Sequence, residues 1–230
     1  MRKPVIDYRQ LRLNNITTPQ FRHLFWLLGW VGYFAMYVLT ENLIPESVCH
    51  NVALPIDYKI PFCEWFILAY VGWYLLVVWS LGYFLLYNVE NFKGLQKFII
   101  VTQVVAMICY IVYPSTTGDL REMTHVDRNN SATWLLGIIQ SADTPTGVCP
   151  SLHVAYSIGI ASAWLKEKQS SRWTRLFVVI ACVLICASVV FVKQHAFIDI
   201  IVALPVCLLA EVLVFGKSYW KPKLQKKQVA

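Results

Sequence analysis

Residues 62–87, FCEWFILAYVGWYLLVVWSLGYFLLY, form a long apolar block. Its only charged side chain is Glu64. A helix that crosses the hydrocarbon core of a bilayer needs about 20 mostly apolar residues, within a range of about 17–25. In water, a block this apolar would expose far more hydrophobic surface than a soluble helix carries. We therefore predict a transmembrane helix here.

Five further apolar blocks flank this one, so that the predicted spans are 24–44, 62–87, 95–113, 151–165, 175–192 and 196–215. The fourth block is shorter and more polar than the others, and it can span only if its polar end faces a protein-lined cavity. The long polar link between the third and fourth blocks contains a candidate interfacial helix, 132–140, which carries Trp134. The sequence thus predicts an all-α bundle of six transmembrane helices. The predicted parts are an N-terminal segment (1–23), a six-span domain (24–216) and a basic tail (217–230).

The composition favours the bilayer over water as the solvent. Hydrophobic residues make up 57% of the chain and charged residues 14%, against roughly 25% charged residues in soluble domains. Mean hydropathy is +0.53. The net charge of +7 could suggest nucleic acid, but the basic residues lie at the ends of apolar blocks, where cytoplasmic flanks meet anionic headgroups. We expect membrane lipids as partners and no nucleic acid, and the oligomeric state stays open.

The distribution of Lys and Arg predicts the orientation. A cytoplasmic N-terminus places sixteen of the twenty Lys and Arg residues inside and four outside: Lys59, Arg121, Arg128 and Lys193. Cytoplasmic loops of membrane proteins carry such an excess of basic residues. We predict that both termini are cytoplasmic, that the link 114–150 lies outside, and that the protein is a multi-pass protein of the plasma membrane.

Two histidines fall on this predicted outer face, one at the start of the fourth span and one at the start of the sixth. The first is His153, in the string Cys149-Pro150-Ser151-Leu152-His153. The second is His195, which shares a helix face with Asp199 four residues later. A carboxylate on one imidazole nitrogen fixes the tautomer and raises the basicity of the other nitrogen, as a histidine nucleophile requires. A structural ion pair that ties two helices together is the alternative.

These motifs resemble those of a known enzyme family. Pro150-Ser151-Leu152-His153, followed by Ser188, His195 and Asp199 at spacings of seven and four, resembles the type 2 phosphatidic acid phosphatase superfamily. The Pro-Ser-Leu-His and Lys-Gln-His variants look most like the branch with inositol phosphorylceramide and sphingomyelin synthases. The string 57–62, DYKIPF, is similar to that branch too. The resemblance covers about residues 56 to 205.

The resemblance implies roles for individual residues. His195 would attack phosphorus and form a phosphohistidine, Asp199 would orient it, and His153 would protonate the leaving oxygen and then activate the acceptor. Ser151, with the backbone N–H groups that begin its helix, and Ser188 would bind the phosphate. The chain departs from the family pattern at Val189, where an arginine is usual, and it has no Arg-Pro in the first motif. Lys193 and Arg121 are the predicted substitute phosphate ligands, with Arg128 in reserve.

The predicted activity is a phosphatase or phosphotransferase that acts on a phosphorylated lipid at the outer membrane face. If water reaches the phosphohistidine the reaction is hydrolysis, and if an alcohol binds instead the enzyme is a synthase. A non-catalytic six-span transporter or scaffold that keeps an anion pocket is the alternative from another class.

No cofactor or metal is expected, because His125, Asp127 and Asp119 lack tight ligand spacing. A disulfide among Cys49, Cys63 and Cys149 is an open possibility. The many Trp and Tyr residues, Trp73 among them, are interpreted as membrane belts and packing.

Overall fold

The computed structural model describes the backbone of residues 3–227 and, residue 41 excepted, the side chains of residues 3–216. The described chain is mostly helical, which confirms the predicted class. The helices are α1 (Leu28–Leu43), α2 (Ile67–Tyr87), α3 (Val89–Val112), α4 (Ser131–Ala142), α5 (Leu152–Lys166), α6 (Arg172–Phe191) and α7 (Phe197–Lys227). Two short strands, β1 (His50–Asn51) and β2 (Ser115–Thr116), pair in parallel. Short 3-10 helices lie at Tyr8–Gln10, Arg22–Leu27, Glu46–Val48, Glu64–Phe66 and Gly118–Thr124.

Five helical stretches of the described chain are long and apolar enough to cross a membrane: Arg22–Thr40, Glu64–Tyr87, Val89–Val112, Arg172–Phe191 and Phe197–Gly216. The predicted fourth span, 151–165, is helix α5, but α5 has only 15 residues. At 1.5 Å per residue it is about 22 Å long, shorter than the roughly 30 Å hydrocarbon core. The structure therefore has five helices of spanning length among its described residues where the sequence predicted six.

Helix α5 is an interior helix of the bundle. It packs against α2, α3, α6 and α7. Gly159 lets α5 approach α3 closely, since a Cβ there would lie 2.5 Å from Cδ1 of Phe98. Trp164 is fully buried near the other end of α5, and its indole N–H donates to Oγ of Ser80 on α2 at 2.9 Å. These contacts hold α5 in the centre of the bundle.

The outward faces of the long helices carry large apolar side chains that no part of the described protein covers. On α2 these include Leu68, Leu75 and Val78, and on α6 they include Phe177 and Val183. An apolar surface this extensive is rare on soluble monomers. It is the surface expected of a multi-pass membrane protein, in which lipid tails cover these side chains.

Local capping explains where two helices begin. Helix α3 begins at Val89, six residues before the predicted 95, because the Asn88 side chain accepts a hydrogen bond from the N–H of Asn91 at 3.1 Å. Helix α4 contains the predicted 132–140 helix and is capped by Asn130, whose side chain accepts from the N–H groups of Ala132 and Thr133. Trp134 of α4 is exposed.

The two ends of the bundle are built differently. At the end where α5 and α7 begin, the segment 145–149 is held by Ser115, whose Oγ accepts from the N–H of Cys149 at 3.1 Å. No disulfide forms among the seven cysteines, all of which lie in the described part of the chain. At the opposite end, Tyr8 donates to the carbonyl of Leu85 at 2.9 Å, so the N-terminal segment packs on the last turn of α2. The side chains of the predicted tail, 217–230, lie outside the described residues.

Candidate active site

The turn between α6 and α7 carries His195. Helix α6 ends at Phe191, and Lys193 adopts the left-handed conformation with φ 58°. The N–H of Gln194 bonds to the carbonyl of Val189 at 3.1 Å, and the N–H of Lys193 bonds to that of Val190 at 3.4 Å. This is the Schellman pattern that ends many helices, usually with glycine at the left-handed position. A lysine there costs about 1–2 kcal/mol, so other contacts must stabilise this conformation.

The Lys193 side chain supplies those contacts. Its ammonium donates to the carbonyl of Asp57 at 2.5 Å and to that of Ile60 at 2.6 Å, and the residue is 1% exposed. Burial lowers the pKa of Lys193, and the nearby Asp57 carboxylate opposes that effect. Two of its three ammonium protons are therefore used by the 54–60 loop. The sequence predicted Lys193 as a phosphate ligand, whereas the structure places its ammonium on backbone carbonyls.

Asp57 fixes the other side of the same turn. It is 2% exposed, and its Oδ1 accepts from the N–H of Phe197 at 2.7 Å while its Oδ2 accepts from the N–H of Leu54 at 2.8 Å. Phe197 is the first residue of α7, so the carboxylate also interacts favourably with the positive end of the helix dipole. Asp57, the first residue of the DYKIPF string, and Lys193 thus hold the residues on either side of His195.

His195 is oriented by two oxygen acceptors. Its Nδ1 lies 3.0 Å from Oδ2 of Asp199 and 3.1 Å from the carbonyl oxygen of Val148. Because both neighbours only accept hydrogen bonds, Nδ1 must carry the proton. In the neutral imidazole the other nitrogen, Nε2, then holds the lone pair. Asp199 is fully buried, and its Oδ2 is fixed further by the N–H of Ala196 at 3.0 Å. This is the predicted pairing of His195 with Asp199.

His153 lies in the first turn of α5 against an aromatic wall on α2. Its ring stacks on Tyr70 with centroids 4.2 Å apart, and it lies equally close to Trp73. The rings of His153 and His195 are 5.9 Å apart. Nε2 of His153 is buried and has no hydrogen-bond partner in the described structure. A buried polar atom without a partner is uncommon.

Ser151 joins the two histidine segments. It is fully buried, and its N–H donates to the carbonyl of Asp199 at 3.2 Å. Its Oγ lies 3.5 Å from the N–H of Val154, at the limit for a hydrogen bond. The next two backbone N–H groups, of Leu152 and His153, open helix α5 and have no acceptor among the described residues. First-turn N–H groups of this kind favour an anion.

The other predicted phosphate ligands have partners elsewhere. Ser188 is buried within α6, and its hydroxyl donates to the carbonyl of Ile185 at 2.7 Å. Arg121 donates to the carbonyls of Asp143 at 2.7 Å and Thr144 at 2.8 Å, so it braces the end of α4. Arg128 pairs with the buried carboxylate of Glu64 at 3.0 Å. The structure therefore brings together His153, His195, Asp199 and Ser151, and it gives Lys193, Arg121, Arg128 and Ser188 bracing contacts.

Sequence reasoning missed the aromatic wall. Trp73 and Tyr74 lie three and four residues after Tyr70, so the three rings share one face of α2. All three rings face His153, with Tyr74 edge-on at 6.2 Å. The spacing was visible in the sequence, but in so aromatic a chain it did not stand out from packing residues.

The site offers no competing thiolate nucleophile. Cys149 lies beside it, and burial, with a further contribution from the Asp199 carboxylate, raises the pKa of the Cys149 thiol to about 12. Since the thiolate is the reactive form of cysteine, this thiol is inert near neutral pH. Among the residues with described side chains, no three His, Cys, Asp or Glu groups converge as metal ligands.

Comparisons of this chain with models of protein families, with curated proteins and with solved structures gave no match. A function for the site therefore depends on its motifs and on the geometry described above.

Proposed function

We propose that the protein is an integral membrane phosphatase or phosphotransferase that acts on a phosphorylated lipid through a phosphohistidine on His195. The observation that carries the proposal is the pair of oxygen acceptors around Nδ1 of His195. Two acceptors at 3.0 and 3.1 Å hold the proton on Nδ1, which leaves Nε2 as a free nucleophile. The second imidazole, that of His153, lies 5.9 Å away between ring centroids.

The proposed reaction has two steps. In the first, Nε2 of His195 forms a bond to phosphorus while the bond from phosphorus to the leaving oxygen breaks, and protonated His153 gives its proton to that oxygen. In the second, neutral His153 takes a proton from water as the water oxygen attacks phosphorus, and the phosphorus–nitrogen bond breaks. His195 then regains its lone pair and His153 is again protonated. Positioned acid–base transfer of this kind contributes typically 10²–10⁴-fold.

The phosphoryl oxygens need preorganised donors, and the first turn of α5 offers them. The unpartnered N–H groups of Leu152 and His153 lie beside the His153 ring, and the Ser151 hydroxyl is adjacent. In this proposal Lys193 acts indirectly, since its ammonium is bonded to the carbonyls of Asp57 and Ile60 and so positions the His195 turn. Arg121 braces the neighbouring loop in the same way.

We place the site at the outer membrane face, with both termini cytoplasmic and with α5 as a sixth, interior crossing of the bundle. The positive-inside distribution of Lys and Arg supports this orientation. Residues 115–149 and the start of α5 lie at the histidine end, whereas the N-terminal segment packs at the other end of the bundle. A lipid headgroup could then enter sideways from the outer leaflet.

The acceptor decides between hydrolysis and transfer. Water would give a lipid phosphate phosphatase, and an alcohol in its place would give a synthase like those of the branch that the histidine motifs resemble. The proposed chemistry of His195 and His153 is the same in both cases, so the same residues carry either reaction.

Phosphate release from a panel of lipid phosphates tests the proposal. Purified protein in detergent is compared with His195→Ala and with the matched control His125→Ala, which removes an exposed loop histidine. We expect release by the wild-type and control proteins and at least a 1,000-fold loss in His195→Ala. Equal release by all three proteins would contradict catalysis by His195 and favour a non-catalytic scaffold. Adding inositol, choline-containing lipids or diacylglycerol to the assay separates transfer from hydrolysis.

A further inference from the structure

Two adjoining cavities lie at the end of the bundle opposite the histidines. Each has a volume of about 460 Å3, and Glu90 and Lys93 of α3 line both of them. Lys97 also lines the second cavity, and Tyr110, which contacts the histidine end through the carbonyl of Pro150, lies thirteen residues further along α3. That separation corresponds to roughly 20 Å along the helix axis. The cavities are therefore a separate site from the one proposed for catalysis.

The first cavity lies between the N-terminal segment and the start of α3. Arg22, His23 and Trp26 line it on one side, and Lys93 lines it on the other. His23 is buried and bonds to the hydroxyl of Tyr8 at 2.7 Å, so this wall is fixed in place. His23 is thus a fixed part of the wall, while Arg22 and Trp26 beside it are exposed.

The second cavity lies between α3 and the ends of α5 and α7. Lys97 and Lys166 line it, together with the ring of Phe215. Gly94 makes room for that ring, because a Cβ at this position would lie 2.6 Å from Cε1 of Phe215. Lys97 also lies over the Trp26 ring at 5.0 Å, which connects the two cavities.

The two cavities together are strongly basic. Four cationic side chains line them, and Glu90 is the one carboxylate in the described lining. Glu90 pairs with Lys93 at 2.5 Å, and Lys166 pairs with Glu211 at 2.6 Å. Arg22 and Lys97 have no carboxylate partner within the described part of the chain. Two uncompensated cations in one pair of cavities favour an anion.

The apolar side chains next to the first cavity indicate that the anion is part of a lipid. Trp26 lies at the mouth of the first cavity, and α1 continues from there with exposed apolar side chains such as Leu28 and Val31. A ligand with an anionic head and acyl chains would contact both the basic cavity and this apolar helix face. Basic pockets between transmembrane helices on the cytoplasmic side are suited to anionic lipid headgroups.

We propose that these two cavities bind the phosphate-bearing headgroup of an anionic membrane lipid, with Arg22 and Lys97 as its principal cations. The site is independent of the catalytic proposal, because none of its lining residues takes part in the histidine site. Each cation near an anionic headgroup contributes about a fivefold change in affinity. Removing both should weaken binding about 30-fold.

Native mass spectrometry of the detergent-purified full chain, titrated with phosphatidylglycerol or phosphatidylcholine, tests this site. The double variant Arg22→Gln/Lys97→Gln is compared with Lys168→Gln/Arg172→Gln, which removes two exposed cations, one in the loop between α5 and α6 and one at the first residue of α6. We expect wild-type protein and the control to retain phosphatidylglycerol in preference to phosphatidylcholine. The cavity variant should bind phosphatidylglycerol about 30-fold more weakly.

Four results would overturn the proposal. The first is equal affinity of the wild-type protein for the two lipids, and the second is equal binding of phosphatidylglycerol by the cavity variant and the control. The third is full displacement of the lipid by an equal concentration of glycerol phosphate, which would identify a site for a free phosphate compound. The charge-keeping variant Arg22→Lys/Lys97→Arg separates charge from folding, because it should retain binding, and a 30-fold loss in it too would contradict the electrostatic account.

Discussion

The ammonium of Lys193 donates to the backbone carbonyl of Asp57 at 2.5 Å, while the carboxylate of Asp57 accepts from the N–H of Phe197. Two residues that are 136 apart in sequence thus hold both sides of the turn that presents His195. The lysine stands near the place where the resembling family has an arginine that binds phosphate. In this protein its ammonium bonds to the backbone carbonyls of Asp57 and Ile60.

Glycine and alanine at position 193 separate the backbone contribution of Lys193 from that of its side chain. Both substitutions remove the ammonium, but only glycine adopts φ 58° without steric cost. We expect Lys193→Ala to unfold at a lower temperature than Lys193→Gly, by the equivalent of about 1 kcal/mol. Thermal unfolding in detergent measures the difference. Equal unfolding temperatures would mean that the left-handed conformation is not maintained in the variants.

The same two variants also test the positioning role of Lys193. If the ammonium positions the His195 turn, its loss should lower kcat with little change in KM, because the substrate does not contact it. A phosphate ligand would instead raise KM when removed. Steady-state kinetics on a lipid phosphate distinguishes the two. A change confined to KM would contradict the bracing role.

Replacing Asp57 by asparagine should destabilise the fold. The carboxylate accepts two backbone N–H groups, from Phe197 and Leu54. An amide can accept only one of them, and its NH2 group would then face the other donor. An unsatisfied buried donor costs about 1–3 kcal/mol. Thermal unfolding compares Asp57→Asn with Asp127→Asn, an exposed loop control, and equal behaviour of the two would contradict the capping role.

Asp199→Asn should impair catalysis more than stability. An amide oxygen can still accept from Nδ1 of His195 and from the N–H of Ala196, so the local geometry survives, but the negative charge that stabilises the imidazole proton is lost. Loss of an orienting carboxylate of this kind has cost up to about 10⁴-fold in kcat in a catalytic triad. We expect a fall of at least about 100-fold in kcat with an almost unchanged unfolding temperature. Wild-type turnover by Asp199→Asn would mean that the pair is structural.

The dependence of the rate on the leaving group tests whether His153 donates a proton. A general acid matters most when the leaving oxygen is strongly basic, so His153→Gln should slow release from an alkyl phosphate by about 10²–10⁴-fold. The rate of release from an aryl phosphate, whose leaving group needs little protonation, should fall much less. Rates with matched alkyl and aryl substrates measure this. Equal losses on both substrates would contradict proton donation by His153.

Cysteine labelling on intact cells tests the orientation. Asn129 and Gln169 are both exposed, on opposite ends of the bundle. A membrane-impermeant maleimide should label Asn129→Cys above the wild-type background and should label Gln169→Cys only after the cells are opened. The reverse pattern would place the histidine site in the cytoplasm.

Motif spacing predicted which side chains meet, but it could not predict where the cations point. His195 lies in the turn before α7 and Asp199 lies in the first turn of α7, so local geometry brings the two side chains together. The position of the Lys193 ammonium depends on a left-handed backbone conformation and on contacts with a loop more than 130 residues away in the sequence. No local pattern encodes either feature.

The interior position of α5 could not be predicted from local sequence either. Its sequence is apolar enough to suggest a span, yet its interior position depends on close approaches such as that of Gly159 to Phe98. Hydropathy records that a helix is apolar and does not record whether lipid or protein covers it. The start of α3 was predicted six residues late because Glu90 and Lys93 make its first turn polar.

Trapping of the phosphorylated enzyme determines whether His195 forms a phosphohistidine. Purified protein is mixed with a substrate labelled in its phosphate, quenched in denaturant, and assayed for label on the chain that is stable in base and labile in acid. We predict such label on wild-type protein and on His125→Ala, at a position that peptide mapping assigns to His195, and none on His195→Ala. Label that persists on His195→Ala, or turnover without any labelled chain, would contradict a phosphohistidine at His195.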